Sequence, residues 1–312
     1  MVVPARDAAT VMLVRDAVDD GGSPGIEVCM LRRNLASEFV AGAYVFPGGS
    51  VDPEDSSLEA MALCDGRNDV EASVILGVES GGLAFWVAAL RECFEEAGVL
   101  VARHRTDGDG DGRGRSGLLQ NLDDDDAARL AGYRHELNAG RMGIVEVCRR
   151  EGLFLAVDAV HYVSHWITPE VAPRRYDTRF FVTPAPPGQD VRHDDAETIA
   201  SLWIQPSDAL ARFVAGEIEM LPPTISNFRA LADFTTSEEV MAWARTVTTV
   251  PTVLPIVEFA DGDVAIFRPG DTGYEEAAAR AASGVTPSDG WPPAGAGGLG
   301  RLSGTERRAG PD

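Results

Sequence analysis

The amino-acid sequence predicts an α/β (α+β) fold, and three observations carry that prediction. Short aliphatic and β-branched runs at residues 10–14 and 26–31 are split by the turn-forming segment Asp19-Asp20-Gly21-Gly22-Ser23-Pro24-Gly25, the pattern of a β-hairpin. Leu83, Val87, Leu90 and Phe94 recur at helical spacing and stop at Gly98, which marks one apolar helix stripe and its C-terminal end. Beyond residue 150, strand-like and helix-like patterns alternate, as a sheet with covering helices requires.

After the hairpin, residues 43–46 form a third apolar run that ends at Pro47-Gly48-Gly49, where the glycines predict the start of a loop. The helix follows over the Leu83 stripe. Residues 107–117 are Gly, Asp and Arg without periodicity and residues 123–126 are all aspartate, so a flexible, exposed excursion is expected over about 105–127. Strands are expected within 153–163, at 180–183 and at 199–204. Ser207 is placed to cap a helix over 208–214, Pro222 and Pro223 precede one over 224–234, and Ser237 opens another over 237–247, a helical extension spanning about 207–250. A last hairpin is expected around Asp261-Gly262-Asp263. From 276 onward, Gly, Ala, Pro and Ser dominate, and a segment with so little to bury is expected to stay disordered.

Composition narrows the function classes. With 312 residues and 45% hydrophobic content, the chain can bury a core without staples. A formal charge of −22 excludes a nucleic-acid backbone or an anionic membrane as the main partner, because the surface as a whole repels both. A phosphate-bearing ligand then has to be held locally, by metal or by arginine, since the chain contains no lysine. The 4 cysteines form no CxxC pair, which excludes a zinc ribbon and fits a reducing, cytoplasmic setting. No run reaches the roughly 18 apolar residues of a membrane span. Nothing in the sequence addresses the oligomeric state.

The chemistry concentrates in Arg91-Glu92-Cys93-Phe94-Glu95-Glu96-Ala97-Gly98-Val99. Glu92, Glu95 and Glu96 stand at i, i+3 and i+4 and are expected to share the helix face opposite the Leu83 stripe. Three like charges on one face destabilise a helix unless something offsets them. A divalent cation does so, and all-oxygen donors favour Mg²⁺ or Mn²⁺ over zinc. The competing explanation is a solvated polar face, and it is the context that separates the two.

With Gly49 and Asp55 upstream, the segment resembles the Nudix box, GX5EX7REUXEEXGU. Two departures stand out: Asp55 occupies the first glutamate position, and residues 56–90 fill a gap of seven, so the box is split by an insertion over about 56–82. Residues 46–57, beginning Phe46-Pro47-Gly48-Gly49, resemble the Nudix motif 19 branch of coenzyme A diphosphatases, which carries such an insertion. His165-Trp166-Ile167-Thr168-Pro169, Arg175-Tyr176-Asp177-Thr178-Arg179 and Leu221-Pro222-Pro223-Thr224 extend the likeness, so one Nudix domain is expected over 1–275.

The resemblance implies an α/β/α sandwich with a mixed sheet. It also implies a metal-dependent hydrolase that splits the diphosphate of a small-molecule nucleoside diphosphate derivative, foremost coenzyme A or acyl-coenzyme A, giving 3′,5′-ADP and (acyl-)4′-phosphopantetheine. The alternatives are an ADP-ribose or dinucleotide pyrophosphatase and a non-catalytic nucleotide-binding protein. Carried over position by position, Glu92, Glu95, Glu96 and the carbonyl of Gly48 become metal ligands, with Glu92 alternatively the base that activates water. Arg91 orients a carboxylate and pairs with Asp55. Gly49, Asp55 and Gly98 are structural. Glu197 is the expected additional acid, chosen over its neighbours Asp194 and Asp195. Arg33 and Gly42 match a coenzyme A signature in which Glu38 stands where an arginine is usual. Arg174, Arg175 and Arg179 are candidates to grip phosphate, with Tyr176 beside them to stack on adenine.

Two further patterns are set aside. Asp107, Asp109 and Asp111 imitate an EF-hand, but Leu118 stands where its bidentate glutamate belongs. His161 and His165 lie in a strand-like stretch, where hydrogen bonding outweighs zinc.

Overall fold

The computed structural model describes residues 2–17, 24–34, 42–104, 117–194, 197–260 and 263–282. Glu38, Asp195, the EF-hand-like aspartates and the chain from 283 onward lie outside the described residues.

Strands β1 (Arg6–Asp16) and β2 (Ile26–Arg33) form the expected antiparallel hairpin. β3 (Tyr44–Val45) adds to β2. Instead of opening a loop, the glycine pair enters the sheet: β4 (Gly48–Ser50) runs antiparallel to β1. Glycine is needed here for proximity, since a Cβ on Gly48 would lie 2.5 Å from the carbonyl oxygen of Ala9.

A 3-10 turn over Pro53–Ser56 leads into the insertion, which folds as α1 (Leu58–Met61) and α2 (Asp69–Leu76). α3 (Leu83–Glu92) continues into a π-helical turn, Cys93–Ala97, and ends at Gly98 with φ of +74°. The stripe prediction is too modest for α3, because every residue from Leu83 to Arg91 is buried. The glutamates therefore do not occupy a solvated face but sit at the C-terminal end of an enclosed rod.

Next come β5 (Ala102–His104), α4 (Asp124–Asn138), α5 (Ile144–Glu151) and β6 (Leu153–Leu155). The aspartate run expected to be an exposed excursion is the start of α4, with the Asp123 carboxylate accepting a hydrogen bond from the Asp126 amide at 2.8 Å. Acidic side chains favour a helix N-terminus, so a charge run read as a loop becomes a helix start.

β7 (His161–Ile167), β8 (Tyr176–Pro184) and β9 (Thr198–Ile204) follow, then α6 (Pro206–Val214), α7 (Pro222–Leu231) and α8 (Ser237–Thr246). α6 begins at Pro206 without a side-chain cap, so Ser207 is not its cap, and α8 is capped by Thr236 rather than Ser237. The chain closes with β10 (Thr252–Val253), a hairpin of β11 (Ile256–Ala260) and β12 (Asp263–Phe267), and α9 (Tyr274–Ala282). α9 corrects the expectation of disorder from 276, for Ala277 is fully buried.

Eight strands form one sheet in the order β10-β7-β8-β1-β2-β3, with β4 also on β1 and β9 also on β2. The sheet is mixed, since β1 runs parallel to β8 and antiparallel to β2. Ala9, Val11 and Leu13 of β1 pack with α3 on one face, while Met12, Val14 and Met30 pack with α6, α7 and α8 on the other. This is the α/β/α sandwich that the resemblance implies. Burial on both faces explains the near-continuous apolar run of β1.

Candidate active site

Arg91 organises the site. Its guanidinium makes a bidentate pair with Asp55, Nε to Oδ1 and Nη2 to Oδ2, both at 2.9 Å. Nη2 also donates to the Ser50 carbonyl at 2.9 Å, and Nη1 donates to Glu92 at 2.9 Å and Glu95 at 3.1 Å. Asp55 is fully enclosed, with 1% of its surface exposed, so its shorter side chain reaches Arg91 from a turn brought close to α3. The split in the box is thereby closed in space.

The glycines bring β4 against the acids. The Gly48 amide donates to Glu96 at 2.9 Å, and a Cβ on Gly49 would lie 2.3 Å from Glu92 Oε1. Burial pushes the Glu92 carboxyl up to about 7, with the charge of Glu95 adding to the effect and Arg91 opposing it. Burial likewise raises Glu95, and raises Glu96 well above the usual carboxylate range, where the charge of Glu92 reinforces it. Glu197 lines the same cleft and raises both Glu92 and Glu96 by its charge. Glu92, Glu95 and Glu197 thus line the cleft, with Glu96 buried close by.

The π-helical turn that carries Glu95 and Glu96 has its freed carbonyls satisfied from α4. Arg134 donates to the Glu95 carbonyl at 2.8 Å and to that of Glu96 at 2.7 Å, and Asn138 donates to Glu95 at 3.2 Å. π-turns inside α-helices recur at functional sites because they re-aim side chains. The start of α3 is held as unusually, by the insertion. Asp69 accepts from the amides of Gly81 and Leu83 at 3.0 Å each, and Ser73 accepts from Gly82 at 3.0 Å.

The cleft has a volume of about 520 Å³. Its floor is a row of paired residues crossing the sheet: Ser50 opposite Ala8, Ala8 opposite Thr178, Thr178 opposite Trp166. Phe46, Glu92 and Glu95 border the β4 end, and Pro169, Tyr176, Leu221, Pro222, Val257 and Ile266 border the rest.

Acidic side chains that repel one another at this depth are a fitting donor set for a hard divalent cation. Among the described residues, however, no three His, Cys, Asp or Glu side chains converge on a single point. Glu92 and Glu95 face Arg91, and Glu96 faces the Gly48 amide.

A family model for the NUDT19 Nudix domain matches residues 76–231. The chain belongs to this Nudix family. It is 29% identical over 280 residues to the human protein named acyl-coenzyme A diphosphatase NUDT19, an alignment spanning 81% of this chain and 73% of the relative. The chicken protein of the same name is 28% identical over 309 residues, spanning 87% of this chain and 80% of that one. Among solved structures, a NUDIX hydrolase from Alicyclobacillus acidocaldarius superposes with a TM-score of 0.56 at 28% identity, covering 78% of this chain and 97% of that one. The chain is accordingly a hydrolase of diphosphate bonds, and the non-catalytic alternative falls.

In this Nudix hydrolase the expected phosphate-binding arginines divide. Arg33 and Tyr176 line the cleft. Arg175 is buried and donates to the carbonyls of Thr168 at 3.0 Å and Val3 at 2.8 Å, so it ties the N-terminal segment to β8. Arg179 is buried under Asp177 with its guanidinium 4.6 Å from the Phe85 ring centre, on the α3 side of the sheet. Arg174 is exposed and is not part of the cleft wall. The sequence places these arginines side by side, but strand alternation and burial commit Arg175 and Arg179 to the fold. His165 is hydrogen-bonded to Asp177 and Thr252, as its strand setting suggested. Arg134 and Asp69 escaped the sequence reading. Neither belongs to a motif, and both act on backbone groups far along the chain.

Proposed function

We propose that this Nudix hydrolase cleaves the diphosphate of coenzyme A and acyl-coenzyme A, using Mg²⁺ or Mn²⁺, to give 3′,5′-ADP and (acyl-)4′-phosphopantetheine. The observation that carries the reading is one cleft with an acidic, Arg91-organised end and a long apolar remainder, in a chain whose relatives carry the name acyl-coenzyme A diphosphatase. A diphosphate asks for cation-binding carboxylates, and a pantetheine arm asks for neutral walls.

Nudix hydrolases generally need divalent metal ions. In this reading Glu92, Glu95, Glu96 and the carbonyl of Gly48 hold the metal. When bound, it neutralises the diphosphate oxygens and makes water a better nucleophile. The chain supplies the rest. Arg91 fixes the directions of Glu92 and Glu95, and Asp55 fixes Arg91. Glu92 or Glu197, both on the cleft wall, accepts the proton of the attacking water. Water forms a bond to one phosphorus as the bridging P–O bond breaks, and each product leaves as a phosphate ester. Gly49 leaves room for the Glu92 carboxylate. A cytoplasmic setting suits the four unpaired cysteines.

The test is a substrate panel of coenzyme A, acyl-coenzyme A, ADP-ribose and a dinucleotide, each with Mg²⁺, Mn²⁺ or EDTA, read by mass spectrometry of the products. Coenzyme A and its acyl esters should react fastest and only with metal. Much faster turnover of ADP-ribose would overturn the substrate, and full activity in EDTA would overturn the metal.

A further inference from the structure

The cleft is polar at one end and apolar at the other, and its length follows from the sheet. Ser50, whose carbonyl receives Arg91, lies in register with Ala8, Thr178 and Trp166 on consecutive strands β4, β1, β8 and β7. Three interstrand steps separate Ser50 from Trp166, roughly 14 Å at ordinary strand spacing. Beyond Trp166 the sheet ends at β10, where Val253 pairs with it, and the chain turns directly into the β11–β12 hairpin. That hairpin pairs with no other described strand. Val257 and Ile266 stand directly opposite each other on its two strands, and both face the cleft. Pro255 lies beside them on the same wall. α9 braces the hairpin through Arg280 on Glu258 at 2.7 Å and the Tyr274 hydroxyl on the Leu254 carbonyl at 3.1 Å.

Charge gives the cleft a direction. The arginines among its lining residues are Arg33 and Arg91. Arg91 serves the acids, and Arg33 pairs across the sheet with Thr198, next to Glu197, so both cations belong to the acidic end. Among the described residues no cation lines the wall at Trp166, Val257 and Ile266, because Arg175 and Arg179 are committed elsewhere. The nucleotide half of coenzyme A carries a 3′-phosphate as well as its share of the diphosphate, whereas the pantetheine half is neutral. An extended pantetheine arm has about a dozen chain bonds, the equivalent of four extended residues, or roughly 14 Å.

Resting on the coenzyme A reading above, we infer that the substrate lies with its nucleotide toward Arg33 and its pantetheine arm along the Ser50–Trp166 row, so that an acyl group on the thiol packs against the Val257–Ile266 pair. The hairpin is then the determinant of acyl specificity. Longer chains bury more apolar surface against it, and that burial raises kcat/KM relative to coenzyme A itself.

The experiment is a chain-length series, with kcat/KM for coenzyme A, butanoyl-coenzyme A and decanoyl-coenzyme A, on the full chain and on Ile266→Asp. A carboxylate at this position should lower the decanoyl-to-free ratio at least about fivefold, more than it lowers the butanoyl-to-free ratio, because a charge beside an alkyl chain is poorly solvated. Should Ile266→Asp fail to fold by its thermal melt, the Val257→Ala/Ile266→Ala double variant replaces it, and the ratio should drop at least about threefold from lost contact area. Equal loss on all three substrates, or an unchanged ratio, overturns the orientation while leaving coenzyme A cleavage intact. Failure of the unaltered protein to cleave coenzyme A at all overturns the reading on which the inference rests.

Discussion

Arg91 shows how one side chain can set the geometry of several others. Its five donors meet Asp55, Ser50, Glu92 and Glu95, and burial of the pair with Asp55 makes the arrangement rigid. Glu95, which it holds, and Glu96, which accepts from the Gly48 amide, are the first acids to test. Glu95→Gln or Glu96→Gln should lower kcat by more than about a hundredfold, the scale of losing preorganised charge in a metal-assisted site. Steady-state kinetics with saturating Mn²⁺ decides it, and near-normal kcat in both variants would remove these residues from the chemistry. On the coenzyme A reading proposed above, Arg33, which lines the cleft, is the arginine to test against the 3′-phosphate. Arg33→Gln should erase most of a preference for coenzyme A over dephospho-coenzyme A, a change of about tenfold or more in the kcat/KM ratio, as loss of a charge-assisted hydrogen bond implies. An unchanged ratio would send the search for that contact elsewhere.

The elements around α3 explain why its glutamates can be held so close together. α3 starts without a cap of its own, and the insertion supplies one through Asp69 and Ser73. Asp69→Ala should destabilise the fold by about 1–2 kcal/mol, because it strips the acceptor from two N-terminal amides. A urea midpoint that does not move would show that water serves those amides equally well. At the other end, Arg134 of α4 anchors the carbonyls of the π-turn. Arg134→Ala should weaken Mn²⁺ binding about 10- to 100-fold, the usual cost of losing support behind a metal ligand. Isothermal titration separates this from general unfolding if the thermal melt stays cooperative. The β11–β12 hairpin forms the remaining wall with α9 bracing it, and a two-stranded ribbon needs such bracing to persist.

Over the full chain, net charge and buried titratable groups set how stability responds to acid. His161 is pushed down to about 4 by burial, with Arg245 and Arg67 adding to the effect and Asp158 opposing it. Its folded pKa lies below the unfolded value of 6.5, so between those values the unfolded chain binds a proton that the folded chain does not. The contribution of His161 to stability is therefore constant above about 6.5 and is lost progressively as pH drops toward about 4. His161→Asn should flatten that part of the profile in urea melts between these limits. A profile that keeps its slope in the variant would assign it to other groups.

The α/β class, the leading hairpin, the glutamate helix with its stop at Gly98 and the acids themselves were all legible from residue order. Each rests on local rules: period of burial, turn residues, and charge spacing along one helix. The resemblance to the Nudix box survived the split between Asp55 and Arg91 because a motif is recognised by residue types, which an insertion does not alter. Folding was required for everything that depends on which residues meet across the chain. It turned Arg175 and Arg179 away from the cleft and kept Arg33 in it, because neighbours in a strand point to opposite faces and the choice of face belongs to the sheet. It set the aspartate run at the head of α4, where the helix dipole favours it, and brought the 3-10 turn of Asp55 beneath Arg91. It also joined Asp69 and Arg134 to the two ends of α3, through hydrogen bonds to backbone groups that any residue carries. A backbone carbonyl leaves no mark in a sequence, so such contacts become visible only when the chain is folded.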